Sequence, residues 1–363
     1  MENNKLGALN IAFIYVGAIM GAGFASGRET WQFFGVFGKV GIVGMILFAL
    51  LFLAIGHMIR YNAKILNTND MGKIIVPGNI SVLENAVGYV MAVILANVLV
   101  TMSAAGGALL HQQWGLNYTV GGIVITILVI LTVIGDFHRI SKVFKYIMPV
   151  LCVAMTITCI VVIASEGQSG GVEGNIVPSP VASNWGIASI LYVAYNVLAL
   201  VSIVATSALN AKSDKSAILG TTLGGLCVGL LALLILLTVL CDMEFSQSLD
   251  MPVLGYATRI SPLAGYIYTG ILFCAIYSAA TSSFYGFTTK VKEGPHKKKI
   301  IVLAAAAAFC LGLVGFKNII AYVAPIMGYI GLAIVVMLVI NFFILYMGEK
   351  RKKKEFDKKE DER

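Results

Sequence analysis

Apolar runs long enough to cross a bilayer recur along nearly the whole chain, separated by short polar segments. A run of about 18 or more apolar residues reads as a transmembrane helix, because a helix closes its backbone hydrogen bonds within one segment where no water is at hand. Ten such spans are expected, at roughly 9–36, 39–63, 80–110, 119–136, 141–164, 184–208, 216–241, 255–289, 299–315 and 319–347. The chain is 58% hydrophobic and only 12% charged, about half the charge of a soluble domain. The sequence therefore specifies an all-α membrane protein, a single bundle over 1–347 followed by a charged tail at 348–363. A cleaved leader is the alternative reading of the first run, with Lys5 ahead of it. The run continues through Trp31, Phe33 and Phe34 into the next span, which favours a span.

Positive charge sets the orientation. With the amino terminus in the cytoplasm, 22 of the 26 Lys and Arg residues fall at cytoplasmic ends or in the tail, and only Arg28, Lys39, Arg259 and Lys317 fall outside. Both termini are thus expected in the cytoplasm, with the bundle in the inner (cytoplasmic) membrane. The basic tail then faces anionic lipid, which accounts for the net charge of +8 without a nucleic acid partner. The six cysteines lie in or at the ends of spans with no CxxC pair, and the four histidines form no HExxH or other metal pattern. Neither a metalloenzyme nor a His/Asp/Ser hydrolase is indicated, and no stretch resembles a channel filter.

The first span carries an oddity. Residues 17–29 read GAIMGAGFASGRE, with glycines at 17, 21, 23 and 27 where a spanning helix favours Leu and Ile. Two readings stay open from these residues alone: small-residue helix packing, or a broken helix whose freed main-chain groups bind ligands. Glycines at i, i+4 and i+6 do not share one helix face, which favours the break. The sixth span, which opens the second half, places polar Asn196 beside Tyr192 and Tyr195 in mid-span. Interrupted helices at corresponding places in two halves mark transporters built on inverted repeats. The halves would be about 7–165 and 183–347. The eighth span contains YSAATSSFYG at 277–286, with Ser278, Thr281 and Ser282 at i, i+3 and i+4. Their hydroxyls either coordinate a hard cation or bond back to carbonyls one turn earlier.

GxxxGxG in a first span together with AxxTS-like hydroxyls in an eighth resembles the sodium-coupled transporters of the LeuT fold, the neurotransmitter:sodium symporters and their relatives in the amino acid–polyamine–organocation superfamily. RISKVFKYIMPVL at 139–151 is similar to the entry of the fifth span in those symporters. The short length and the ASGRE sequence resemble more closely the YkvI-type bacterial membrane proteins. The resemblance implies a 5+5 inverted repeat with broken helices one and six. It implies one Na⁺ held by the carbonyls of Gly17, Met20 and Ser278 and the hydroxyls of Thr281 and Ser282. It also implies a solute site at Gly21, Ala22, Gly23 and Phe24 of span one and Tyr192, Tyr195 and Asn196 of span six.

The chain departs from those symporters in two ways. The positions of their second sodium site are Phe24 and about Leu191 here, so that site is expected to be absent. Arg28 lies near the place of their outer-gate arginine, yet span ten has no acid to pair with it; Glu29 or an outer-loop acid would take that role. No base sits in the core of span five and no carboxylate near the middle of any span, with Glu29 assigned to the outer end. This favours sodium over a proton relay. It also favours a neutral zwitterion, such as an amino acid, over a dication or dianion. Betaine or choline on aromatic faces, proton coupling or exchange, and a transport-inactive sensor are the alternatives.

Overall fold

In the computed structural model the apolar runs form helices stacked side by side, as their length and hydropathy require. The structure describes residues 5–134, 137–166, 176, 177, 179, 182–288, 291 and 294–361, and side chains other than those of 79, 137–148, 166, 352, 353 and 356–361. The side chains of the RISKVFKYIM stretch and most of the 165–182 loop therefore lie outside the described residues.

Span one is three short helices, α1 (Ala8–Ile19), α2 (Ala22–Ala25) and α3 (Arg28–Phe33). A short 3₁₀ segment, Gly35–Val40, kinked at Gly38, leads into α4 (Gly41–Leu66), which ends on Asn67 in a left-handed conformation. Then come α5 (Met71–Ile75), α6 (Ser81–Trp114), α7 (Tyr118–Ile134) and α8 (Phe137–Glu166), which carries Pro149 inside it. The second half runs through α9 (Trp185–Leu209), α10 (Asp214–Cys241), α11 (Met243–Ser248) and α12 (Pro252–Ile260). It closes with α13 (Pro262–Thr288), α14 (Lys297–Gly312), α15 (Phe316–Asn318) and α16 (Ala324–Asp361). Among the described residues, six helical stretches are individually long and apolar enough to cross a membrane, and α1, α7 and Pro149–Ser165 are shorter apolar helices.

Two expectations need correction. Span six is not broken: α9 runs without interruption for 25 residues. Asn196 donates its side-chain N–H to the Tyr192 carbonyl one turn back at 2.9 Å, and no glycine or proline follows Gly186 within the helix. Without glycine the chain has no cheap way to unwind, and the polar side chain finds a partner on its own helix. Span eight does not begin at 255. The chain turns at Ser261 between α12 and α13, because Pro262 withholds an N–H and opens a new helix. The 242–254 loop is also partly helical, with α11 capped by Asp242, whose carboxylate accepts from the Phe245 N–H at 3.0 Å.

The bundle packs as an exchange. Helix α1 lies along α10 as α9 lies along α4, while α4 meets α10, α1 meets α9 and α6 meets α13. Swapping the first helix of each half, and the second helix of each half, maps these contacts onto themselves. Where α6 crosses α7 the backbones nearly touch. A methyl on Gly121 would meet the main chain of Gly106 and Gly107, and one on Gly107 would meet the Tyr118 carbonyl. Small residues permit that approach. At the amino-terminal end, the Leu6 N–H donates to the Asn210 carbonyl at 2.8 Å, and the Lys212 N–H donates to the Leu6 carbonyl at 2.9 Å. The two bonds clip the chain start to the turn between α9 and α10.

Candidate functional site

The site is built on the interruption of span one. Met20 (φ −73°, ψ 65°) and Gly21 (φ −84°, ψ −178°) leave the helical region. The Gly21 N–H turns to the Ile19 carbonyl at 2.7 Å instead of the Gly17 carbonyl. The Gly17 and Ala18 carbonyls thereby lose their usual donors, and the N–H groups of Ala22 and Gly23 have no main-chain acceptor among the described residues. Met20, Ala22, Gly23 and Phe24 are all buried. The break expected from the glycines is present, and its unsatisfied groups lie inside the bundle, where a partner is costly to omit.

A second bend follows at Gly27, at φ 78°, a left-handed conformation that favours glycine. It redirects α3, and a side chain assigned to the outer end turns inward. Glu29 is 5% exposed. Its two carboxylate oxygens accept from the Tyr192 and Tyr195 hydroxyls, each at 3.2 Å. It also packs against Gly23 so closely that a methyl there would overlap the carboxylate. Rings surround the pair of tyrosines: Phe33 and Phe48 lie 4.8 and 4.7 Å from Tyr192, Phe34 lies 5.4 Å away, and Phe33 stacks on Tyr195 at 6.5 Å.

The structure thus brings together Gly23, Tyr192 and Tyr195 of the expected solute site, and the group that unites them is Glu29. No reading of the sequence placed it there. The signal was the second glycine, Gly27, four residues after Gly23. A straight helix would carry Glu29 about 9 Å beyond Gly23, and the bend cancels that separation. The expectation of no carboxylate in the interior of the spans is overturned, and with it the argument from charge against cationic solutes. Asn196 is buried but bonded to its own helix, and Phe24 is fully buried.

Arg28 also departs from expectation. It is 3% exposed and does not pair with Glu29, while the outer-loop acid Asp250 acts on it through its charge. Its guanidinium donates to the carbonyls of Gln247 and Leu249 at 3.3 and 3.1 Å, and Lys317 donates to the same Gln247 carbonyl at 2.7 Å. These bonds tie α3 to the end of α11 and the residue that follows it. The Val253 N–H reinforces the tie by donating to the Ser26 carbonyl at 2.9 Å.

On α13 the expected cation ligands differ in exposure. Ser278 and Thr281 are buried, Ser282 is exposed, and the Thr281 hydroxyl donates to the Tyr277 carbonyl at 2.7 Å. The edge of the buried face of α13 falls between 281 and 282. Met20 directs its sulfur to the Cys152 thiol on α8 at 3.1 Å. Helix α13 contacts the break through another residue: the buried Tyr268 hydroxyl donates to the Ala25 carbonyl at 2.6 Å. Tyr268→Phe leaves that carbonyl without this donor. It is expected to cost about 1–3 kcal/mol, read as a lower thermal midpoint of the purified protein. An unchanged midpoint would show that water takes over the bond.

No family model matches the chain. It is 26% identical over 344 residues to the uncharacterized membrane protein YkvI of Bacillus subtilis (strain 168), covering 92% of this chain and 96% of that protein. It is 23% identical over 338 residues to the uncharacterized protein YyaD of the same organism, covering 90% and 94%. Among solved structures it is similar to MhsT in complex with L-phenylalanine, with a TM-score of 0.60 at 17% identity over 93% of this chain and 98% of that one. Mhp1, a nucleobase-cation-symport-1 family transporter in a closed conformation with bromovinylhydantoin bound, gives 0.52 at 14% identity over 90% and 78%. A mutant manganese transporter of Eremococcus coleocola also gives 0.52, at 9% identity over 93% and 77%. These likenesses show the fold: an all-α membrane bundle of about ten spans with the LeuT fold.

Proposed function

We propose that this protein is a secondary transporter that moves an amino acid or similar small zwitterion past the break in span one by alternating access, coupled to Na⁺. The observation that carries this reading is the buried interruption at Met20–Gly21, with main-chain donors and acceptors that no neighbouring helix satisfies among the described residues. Such groups cost several kcal/mol each in an apolar interior (roughly 2–7) unless a ligand or water takes them. The freed carbonyls suit a cation and the freed N–H groups of Ala22 and Gly23 suit a carboxylate. The solutes on the structural neighbours, L-phenylalanine on MhsT and bromovinylhydantoin on Mhp1, agree with a small organic cargo.

For sodium, the proposed ligands are the Gly17, Met20 and Ser278 carbonyls with the Thr281 hydroxyl, all hard oxygen donors. The exposure of Ser282 argues against its place in the set. A second reading, proton coupling, is favoured by Glu29, an acid enclosed in the site. An aromatic surround leaves betaine or choline as the other solute class.

The test is ligand-induced thermal stabilisation of the purified protein, with amino acids and quaternary amines screened in NaCl and in KCl. A solute at 100 times its Kd is expected to stabilise by about 2.7 kcal/mol, in NaCl only, and less in Thr281→Ala. A hit indifferent to sodium and to the substitution removes the sodium part of the reading. The absence of any hit among amino acids removes the amino acid part.

A further inference from the structure

Among the described residues the bundle encloses one acid, Glu29, beside its helix break, and its surroundings narrow what can neutralise it. Among the described residues the groups acting on the Glu29 carboxylate are the two phenolic hydroxyls of α9. The cations nearby are committed elsewhere: Arg28 to the Gln247 and Leu249 carbonyls, Lys317 to Gln247. The other elements packed on α3 supply no charge at this point. Helix α2 has no ionisable residue, and α10 approaches the bend with Ile235 and Val239. Lys39 on the Gly35–Val40 turn and Tyr322 on the 319–323 turn are both exposed.

Two hydrogen-bond donors stabilise a carboxylate but do not cancel its charge. An isolated carboxylate among aromatic rings in a membrane protein is expensive, and such a group takes a counter-ion or a proton. Space decides between them. The carboxylate lies against the Gly23 main chain with no room even for a methyl group, and Tyr192 and Tyr195 close its other side. A sodium ion or an ammonium group does not fit where the side chain now stands; a proton does.

We infer that Glu29 is the proton-carrying residue of this protein, loaded when its carboxyl is enclosed between Gly23, Tyr192 and Tyr195 and unloaded when α3 swings it out toward water. In loading, a carboxylate oxygen lone pair forms an O–H bond with a proton released by hydronium, leaving water. In unloading, the same O–H bond breaks and the proton returns to water. No oxidant or further reactant enters. Gly27, with its left-handed φ directly before α3, and Gly23, which alone admits the carboxyl, are the two positions that permit the movement. The inference rests on the transport reading for the crossing of the proton, though not for its binding.

The experiment is infrared difference spectroscopy of the full-length protein in lipid nanodiscs as the pH is stepped from mildly acid to mildly alkaline, with no solute added. Wild type is expected to show the carbonyl band of a protonated carboxylic acid that disappears as the pH rises, and Glu29→Gln is expected to lack it. Tyr195→Phe removes one donor to the ionised form and is expected to move the disappearance of the band by roughly one pH unit. Persistence of the same band in Glu29→Gln overturns the assignment, as does a wild-type protein with no protonated carboxyl across the range. If Glu29→Gln does not fold, an unshifted band in Tyr195→Phe overturns it alone. Because the band is read without a transported solute, a failure to find solute uptake counts against the transport reading and leaves this one standing.

Discussion

Gly23→Ala is expected to lower solute uptake strongly, and Gly21→Ala to preserve it. The two glycines are equivalent in the sequence motif and opposite in the structure. A methyl on Gly21 meets only the end of Met102, at an ordinary 3.5 Å, and the backbone there is extended, open to any residue. A methyl on Gly23 occupies the space of the Glu29 carboxylate, which cannot retreat without giving up both tyrosine bonds. Overpacking of this kind costs about 1–3 kcal/mol, equivalent to roughly a 10- to 100-fold loss in any equilibrium that needs the cluster intact. Uptake into liposomes of whichever solute the thermal screen identifies is the measurement. Equal loss in both variants would mean that the break as such, and not the carboxyl pocket, governs activity.

Gly121→Val is expected to be the most damaging single change away from the site. The obstructing atoms are the main chain of Gly106 and Gly107, which cannot rotate aside as a side chain would, so α6 and α7 must separate along their crossing. Separation also strains the hydroxyl ladder at that crossing, where Thr126 donates to Ser103 at 3.2 Å and to the Gly122 carbonyl at 2.8 Å. A loss of about 3 kcal/mol or more is expected, with a large drop in the thermal midpoint or in the yield of monodisperse protein. Gly270→Ala is the matched control: a methyl on Gly270 meets nothing within 4 Å, and alanine favours the helix by about 1 kcal/mol. Comparable damage from both would show that these glycines serve folding in the membrane rather than close approach.

The spans and the break in the first of them were legible because each depends on neighbours in sequence. Hydropathy over a turn or two marks a span, and glycine spacing marks where it unwinds. What escaped depends on geometry that accumulates along the chain. One left-handed residue, Gly27, moved Glu29 from an assumed outer position into the centre, and no count of residues per turn reveals that. Span six looked interrupted because Asn196 is polar, yet an asparagine inside a helix can bond to its own backbone, whereas a missing glycine cannot be supplied. On α13 the i, i+3, i+4 rule put three hydroxyls on one face but not on one side of the buried boundary, which the neighbouring helices set. The fate of Arg28 was equally out of reach, since its partners are main-chain carbonyls more than two hundred residues away, and carbonyls carry no residue identity.

The clip between Leu6 and the Asn210–Lys212 turn shares that anonymity. Both of its bonds are amide to carbonyl, so any residue but proline makes them equally well at either donor position. A survey that swaps side chains one at a time would pass over it in silence, and neither chemical labelling of side chains nor sequence drift would mark it. Yet any motion that parts the chain start from the second half of the bundle has to break both bonds together. The fastening at this end of the molecule is therefore one that evolution can lengthen, shorten or delete, but can scarcely tune by substitution.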